Sequence, residues 1–281
     1  MHLRNKMVHI TEVQLNNRKI SNRDPAIVIA GMNVIESEEL CISVAGELKN
    51  ICDRNNIDFI FKASFDKANR SSIDSFRGPG IDQGLKILKT VKDEFNVPII
   101  SDIHEPSQAE AAAEVLDVIQ IPAFLSRQTD LIKAACETKK VINVKKAQFL
   151  SPAQMMNIIE KCNHFGNENI LLCERGSIFG YDNLVVDFLG IDEIKKIAPT
   201  ILDITHSLQL PGGKGKSADG RSSQAKVLGT AAAAIGLAGF FIEVHPSPED
   251  ALCDGASATR LSEFESLLLE LKKFDELSKS L

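Results

Sequence analysis

The stretch PIISDIHEPSQAEAAAEVLDVIQIPAFLSRQTDLIKAACETKKVINVKK, residues 98–146, decides the fold. It holds three short runs rich in β-branched residues, Pro98–Ser101, Val118–Ile121 and Val141–Val144, each read as a strand. QAEAAAEVL, between the first two, places apolar residues at three- and four-residue spacing, the signature of a helix with one buried face. A strand that returns beside itself through a helix does so by a right-handed crossover, which makes the sheet parallel.

The same alternation extends in both directions. Ala26–Ala30 and Phe59–Lys62 precede the stretch; Ile170–Cys173, Ile201–Ile204 and Phe240–Val244 follow it, giving eight candidate strands. LKILKTVKDEF, PAQMMNIIEKC and Leu261–Ser278 are helical patterns, and Thr230–Ile242 reads as a buried helix followed by a strand, interrupted at Gly236 and Gly239. Eight strand–helix units imply an α/β fold, the closed (β/α)8 TIM barrel. VHITEVQLNNRKI has two alternating runs around Asn16-Asn17 and predicts a β-hairpin within about residues 1–22, capping the barrel bottom. No linker is visible, so residues 1–281 are expected to form one catalytic domain.

At 281 residues and 44% hydrophobic, the chain can bury a large core without disulfides or metals. Its net charge of −6 argues against nonspecific nucleic-acid binding, which needs a basic field. No run of ~18 apolar residues is present, and MHLRNKMVHI lacks the apolar region of a signal peptide. A cytoplasmic protein without membrane contact is expected. The six cysteines form no CxxC pair, and five sit in apolar stretches, which predicts reduced, buried thiols.

Barrel enzymes carry their chemistry where strands end. Here those ends are polar: Asn33 after the first strand, Lys62 on the second, Asp102 and His104 after the third, and Gln120 on the fourth. Lys145 and Lys146 follow on the fifth, Glu174 and Arg175 on the sixth, His206 after the seventh, and Glu243 and His245 on the eighth. Unpaired charges at one mouth are costly to desolvate unless a ligand neutralises them. Lys62, Lys67, Arg70, Lys145 and Arg175 supply five cations, more than one phosphate needs. Small substrates with two anionic groups are therefore expected. LPGGKGKSADGRSS, residues 210–223, reads as a lid that turns Lys214, Lys216 and Arg221 toward those anions.

FKASFDKANRSSIDSFRGPG, IHEPSQ, IPAFLSRQTDL, VINVKK, CERGSIFGYDNLVVDF, DITHSLQLPGG and IEVHPSPEDALCDG together resemble the 3-deoxy-D-manno-octulosonate 8-phosphate synthases, from about Val28 to the last helix. The resemblance implies condensation of phosphoenolpyruvate with D-arabinose 5-phosphate and water, in lipopolysaccharide biosynthesis. It implies that Lys62, Lys67, Lys145 and Arg175 hold phosphoenolpyruvate, with Asp102 and Gln120 nearby, and that Asn69, Arg70 and Ser71 hold the aldose phosphate. It also implies a homotetramer in which Arg127 completes a neighbour's site. Among proton carriers, Lys145 is a candidate for the forming alkoxide, and His206, Glu243 or Asp254 for the attacking water.

The resembled family has two classes. In the metal-dependent one, a Cys after the first strand joins a His, a Glu and an Asp around a divalent ion. This chain keeps His206, Glu243 and Asp254 but has Asn33 at the Cys position, which implies the class without metal and no cofactor. Asp219, Ser222 and Ala256 depart from the family's usual residues, all in loops. Rival readings are the sister synthase that uses erythrose 4-phosphate, a Schiff-base aldolase using Lys145, and a sugar-phosphate binding protein. KANRSS argues against the first, and phosphates near Lys145 would raise a pKa that a Schiff base needs lowered.

Overall fold

The computed structural model describes residues 9–211 and 219–281. Eight parallel strands run in chain order: β1 Ile27–Val34, β2 Phe59–Ser64, β3 Ile99–Asp102, β4 Val118–Ile121, β5 Val141–Lys145, β6 Ile170–Glu174, β7 Thr200–Asp203 and β8 Gly239–His245. Each pairs with the next, and β8 pairs with β1 through Glu243 opposite Gly31, so the sheet closes into a barrel. The helices that follow them are α1 Glu38–Arg54, α2 Ile81–Phe95, α3 Ala109–Val115, α4 Thr129–Glu137, α5 Met155–His164, α6 Phe188–Lys195, α7 Ala225–Ala233 and α8 Leu261–Ser280. This is the expected (β/α)8 barrel.

Both faces of each strand are covered, by helices outside and by side chains inside. All eight residues of β1 and all seven of β8 are accordingly buried. The helices begin and pack as their sequences dictate. Ser37 caps α1 by accepting from the Leu40 amide at 3.1 Å, and Glu38 and Glu39 place negative charge at the positive end of its dipole. α8 buries Phe264, Leu267, Leu268 and Leu271. All six cysteines are buried and unbridged. No described helix is long and apolar enough to cross a membrane.

The predicted hairpin is present as Glu12–Leu15 against Arg18–Ser21, with Asn16 in the left-handed conformation at φ 51°. Its inward residues Val13, Leu15 and Ile20 are buried. The following Asn22 ties it to the strand N-termini: its side chain accepts from the Thr200 amide at 2.9 Å and donates to the Lys195 carbonyl at 3.0 Å. The hairpin is therefore anchored at the N-terminal ends of the strands. Residues 1–8 of the expected extension lie outside the described residues.

One strand departs from its sequence reading. The first run was expected to stop at Ala30, yet β1 continues through Gly31 to Val34, so Asn33 lies inside the strand. Gly31 permits this because a Cβ there would come within 1.9 Å of the Lys62 carbonyl oxygen. The pairing with β2 shifts between Met32 and Val34, which turns the end of the strand.

Candidate active site

A cavity of about 500 Å³ opens at the C-terminal ends of the strands. Lys67, Asn69, Arg70 and Ser71 reach it from the loop after β2, Asp102 and His104 from β3, and Gln120 from β4. Lys145, Arg175, His206 and Asp254 complete the lining from β5, β6, β7 and the loop after β8. The ladder aligns them: Asp102 sits opposite Gln120, and Gln120 opposite Asn143, so their side chains share one face.

The cations are not equally free. Lys62 is buried with Glu243, each 1% exposed; its ammonium is paired with that carboxylate and also donates to the Asn33 carbonyl at 3.0 Å. Burial lowers its pKa to about 8 against the opposing pull of Glu243. Lys145 is paired with Asp203, and its ammonium lies 3.6 Å from the centre of the Phe241 ring. Lys67 has no hydrogen-bond acceptor for its ammonium among the described residues. Burial would lower its pKa, but Asp102, Glu243 and Asp254 outweigh this and hold it raised. Arg175 gives one nitrogen to Gln209 Oε1 at 2.8 Å, while its buried Nη1 has no partner among the described residues. Burial lowers its pKa. A buried, unpaired guanidinium nitrogen and a free ammonium lining one cavity make a site prepared for an anion.

The carboxylates answer the cations. Asp102 accepts from Ser64 Oγ and faces His104 Nε2 at 3.2 Å. Burial opposes its ionisation, but Lys67 and His104 hold its pKa well below the ordinary value. Asp203, Glu243 and Asp254 also belong to the site, so the five expected cations stand among four acids. The charge is therefore concentrated at Lys67, Arg70 and Arg175 and is not spread over the mouth. Arg70 contacts the Cys253 sulfur, and burial pushes the Cys253 thiol up to about 12.

Of the three residues expected to match a metal-ligand set, two lie close together: His206 Nε2 is 4.0 Å from Glu243 Oε1. Asn33 turns its amide nitrogen to Asp254 Oδ2 at 2.8 Å and to Cys253 Sγ at 3.2 Å. Lys62 occupies one Glu243 oxygen and the Asn33 N–H occupies one Asp254 oxygen, while Glu243 Oε2 and Asn33 Oδ1 are buried without a partner among the described residues.

Several expected strand-end residues face elsewhere. Glu174 accepts from the Arg175 and Gly176 amides at 3.0 and 2.6 Å, capping its own loop. Lys146 donates to Ser177 Oγ at 3.0 Å and lies 3.4 Å from Glu174, away from the mouth. His245 sits 3.5 Å from Glu36. Arg221, expected over the mouth, instead donates to the Leu184 carbonyl at 3.0 Å. Lys214 and Lys216 lie outside the described residues. Arg127 is exposed and does not line its own chain's cavity.

The DAHP synthetase I family matches residues 8–280. The chain belongs to the DAHP synthetase I family. Its curated relatives there include proteins named 2-dehydro-3-deoxyphosphooctonate aldolase from Psychromonas ingrahamii, 54% identical over 95% of this chain and 96% of the relative, and from Pseudoalteromonas translucida, 53% identical over 95% and 94%. The Marinobacter nauticus protein of the same name is 53% identical over 96% of both chains. In this member of the DAHP synthetase I family, the sequence reading overlooked Asp203, Ser64, Gln209 and Phe241. Asp203 had a signal, since it is the lone charge in TILDI. Ser64 is two positions after Lys62 on one strand and so shares its face. Phe241 looks like any core residue.

Proposed function

We propose that the chain condenses phosphoenolpyruvate with D-arabinose 5-phosphate and water, giving 3-deoxy-D-manno-octulosonate 8-phosphate and inorganic phosphate, a step toward lipopolysaccharide. Relatives more than 50% identical over nearly the whole chain carry the aldolase name for that product. The observation that carries the reading at the site is the pair Arg175 and Lys67: both are buried, both have unused donors, and both face a cavity sized for two small anions.

In this reading Lys67, Lys145 and Arg175 hold the phosphate and carboxylate of phosphoenolpyruvate, with Lys62, Asp102 and Gln120 supporting them. Asn69, Arg70 and Ser71 take the aldose phosphate on the outer loop. C3 of the enol phosphate attacks the aldehyde carbon, and positive charge develops at C2. Water adds to C2, and phosphate departs by cleavage of the C–O bond. The fixed cations orient both anions before reaction, so positioning and preset electrostatics supply much of the rate. Lys145 gives a proton to the carbonyl oxygen that becomes a hydroxyl. His206, with Glu243 and Asp254, receives the proton of the adding water. Asn33, at the position of the Cys in the resembled metal-dependent class, holds Asp254, and in this reading the reaction proceeds without a metal.

We also propose that the active form is a homo-oligomer with Arg127 reaching a neighbour's aldose phosphate. Its support is the exposure of Arg127 beside Phe124, and of Phe149, Phe179, Tyr181 and Leu189 on the mouth-side loops and at the start of α6. The deciding assay measures phosphate release from phosphoenolpyruvate with arabinose 5-phosphate against erythrose 4-phosphate. Turnover with the four-carbon sugar alone would overturn the proposal.

A further inference from the structure

Asp203 ends β7 fully buried, and its two oxygens serve different neighbours. Oδ1 accepts from the His206 backbone amide at 2.8 Å. Oδ2 accepts from the Lys145 ammonium and lies 2.7 Å from His206 Nδ1. Lys145 Nζ is 3.4 Å from that same Nδ1. These contacts require a proton on Nδ1. An unprotonated Nδ1 would set its lone pair against a carboxylate oxygen at 2.7 Å, which is repulsive. Nδ1 therefore carries a proton and donates to Asp203, and in the neutral ring this leaves the lone pair on Nε2. That nitrogen is on the edge facing Glu243, on a residue that lines the cavity.

We infer that Asp203 is the positioning residue of this site, one carboxylate that fixes the His206 tautomer and holds the Lys145 ammonium beside it. The charged groups around His206 are Asp203 on β7, Lys145 on β5, Glu243 on β8 and Asp254 after β8. Of these only Asp203 touches the ring through Nδ1 as an acceptor. Phe241 closes the remaining side, its ring 5.9 Å from the His206 ring and 3.6 Å from Lys145 Nζ. Two proton carriers with different tasks thus depend on one buried acid. The inference rests on the proposed condensation for its substrates, but not for the tautomer.

The test labels the histidines with ¹⁵N and reads their ring nitrogens in the substrate-free full chain. The six histidines are sorted by comparison with His206→Ala. The expected wild-type signal is a neutral His206 protonated at Nδ1; a proton on Nε2 overturns the inference without any variant. Asp203→Asn should shift the proton toward Nε2 and lower kcat on the order of 10²–10³-fold. Asp203→Glu should keep the tautomer and recover part of the rate. The losses in Asp203→Asn and His206→Ala should fail to multiply in the double variant. Losses that multiply in full, or an Asp203→Asn enzyme within about threefold of wild type, refute the role. Should Asp203→Asn not fold, the wild-type spectrum and Asp203→Glu decide alone. An Nδ1–H spectrum in a chain that releases no phosphate with either aldose refutes the condensation and leaves the placement of Asp203 standing.

Discussion

The Asn33 side chain and Asp254 are joined by a 2.8 Å hydrogen bond in which the amide nitrogen is the donor. The carboxylate is thereby held by a neutral group from the opposite side of the barrel seam. Activity should survive exhaustive chelation and should not rise when Mn²⁺, Zn²⁺ or Cd²⁺ is added back. Asn33→Cys exchanges that donor for a soft ligand and should raise metal content after dialysis against the same ions. Activity lost on chelation and restored by one ion would sink the prediction.

Lys145→Ala and Arg175→Ala should each cost about 1.5–3 kcal/mol of transition-state binding, roughly ten- to 150-fold in kcat/KM. They should differ in stability. Removing Lys145 strands the buried Asp203 carboxylate, a loss of up to about 3–5 kcal/mol before His206 compensates by taking a proton. Removing Arg175 frees only Gln209 from its one hydrogen bond to the guanidinium. Urea denaturation of both variants checks the contrast, and equal midpoints would contradict it.

Asp102 should make folding acid-sensitive. Its folded pKa lies well below 3.8, because Lys67 and then His104 outweigh burial. A depressed carboxylate contributes stability that is complete above its unfolded pKa, near 4, and is lost as pH falls toward the folded value. Urea midpoints should therefore drop more steeply between pH 5 and about pH 3 for wild type than for Asp102→Asn. Parallel curves would show that Asp102 is not the group responsible.

Arg127→Ala should raise KM for the aldose phosphate while leaving phosphoenolpyruvate binding near wild type. Mixing it with an inactive variant whose own Arg127 is intact should restore activity in hybrid oligomers. Failure of every mixture to recover activity would place Arg127 outside a shared site.

Much of this architecture was legible because each strand is a short β-branched run and each helix repeats at a different period. The mouth was legible in part: Lys145, Arg175, His206 and Asp254 do converge. What failed was direction. Lys145 ends its strand and Lys146 follows it, and only Lys145 enters the cavity while Lys146 turns to Ser177. Glu174 likewise ends its strand and turns back to cap the Arg175 and Gly176 amides, while Arg175 after it enters the cavity. Partners were harder still: the pairing of Lys62 with Glu243 and of Lys145 with Asp203 joins residues 181 and 58 positions apart, and no local pattern announces such matches.

The seam between β1 and β8 bears on how the protein comes into being. The backbone amide of Ala26, just before β1, is held by the Asp275 carboxylate in α8, 249 positions later. β1 has one edge satisfied by β2 as soon as both emerge from the ribosome. Its other edge must wait for Gly239–His245 and for the helix that latches them. Until then the growing chain is an open sheet with two bare edges and an uncovered apolar face. Synthesis at about 5–20 residues per second leaves that state exposed for roughly ten seconds or more, which makes it the interval in which chaperones have most to protect.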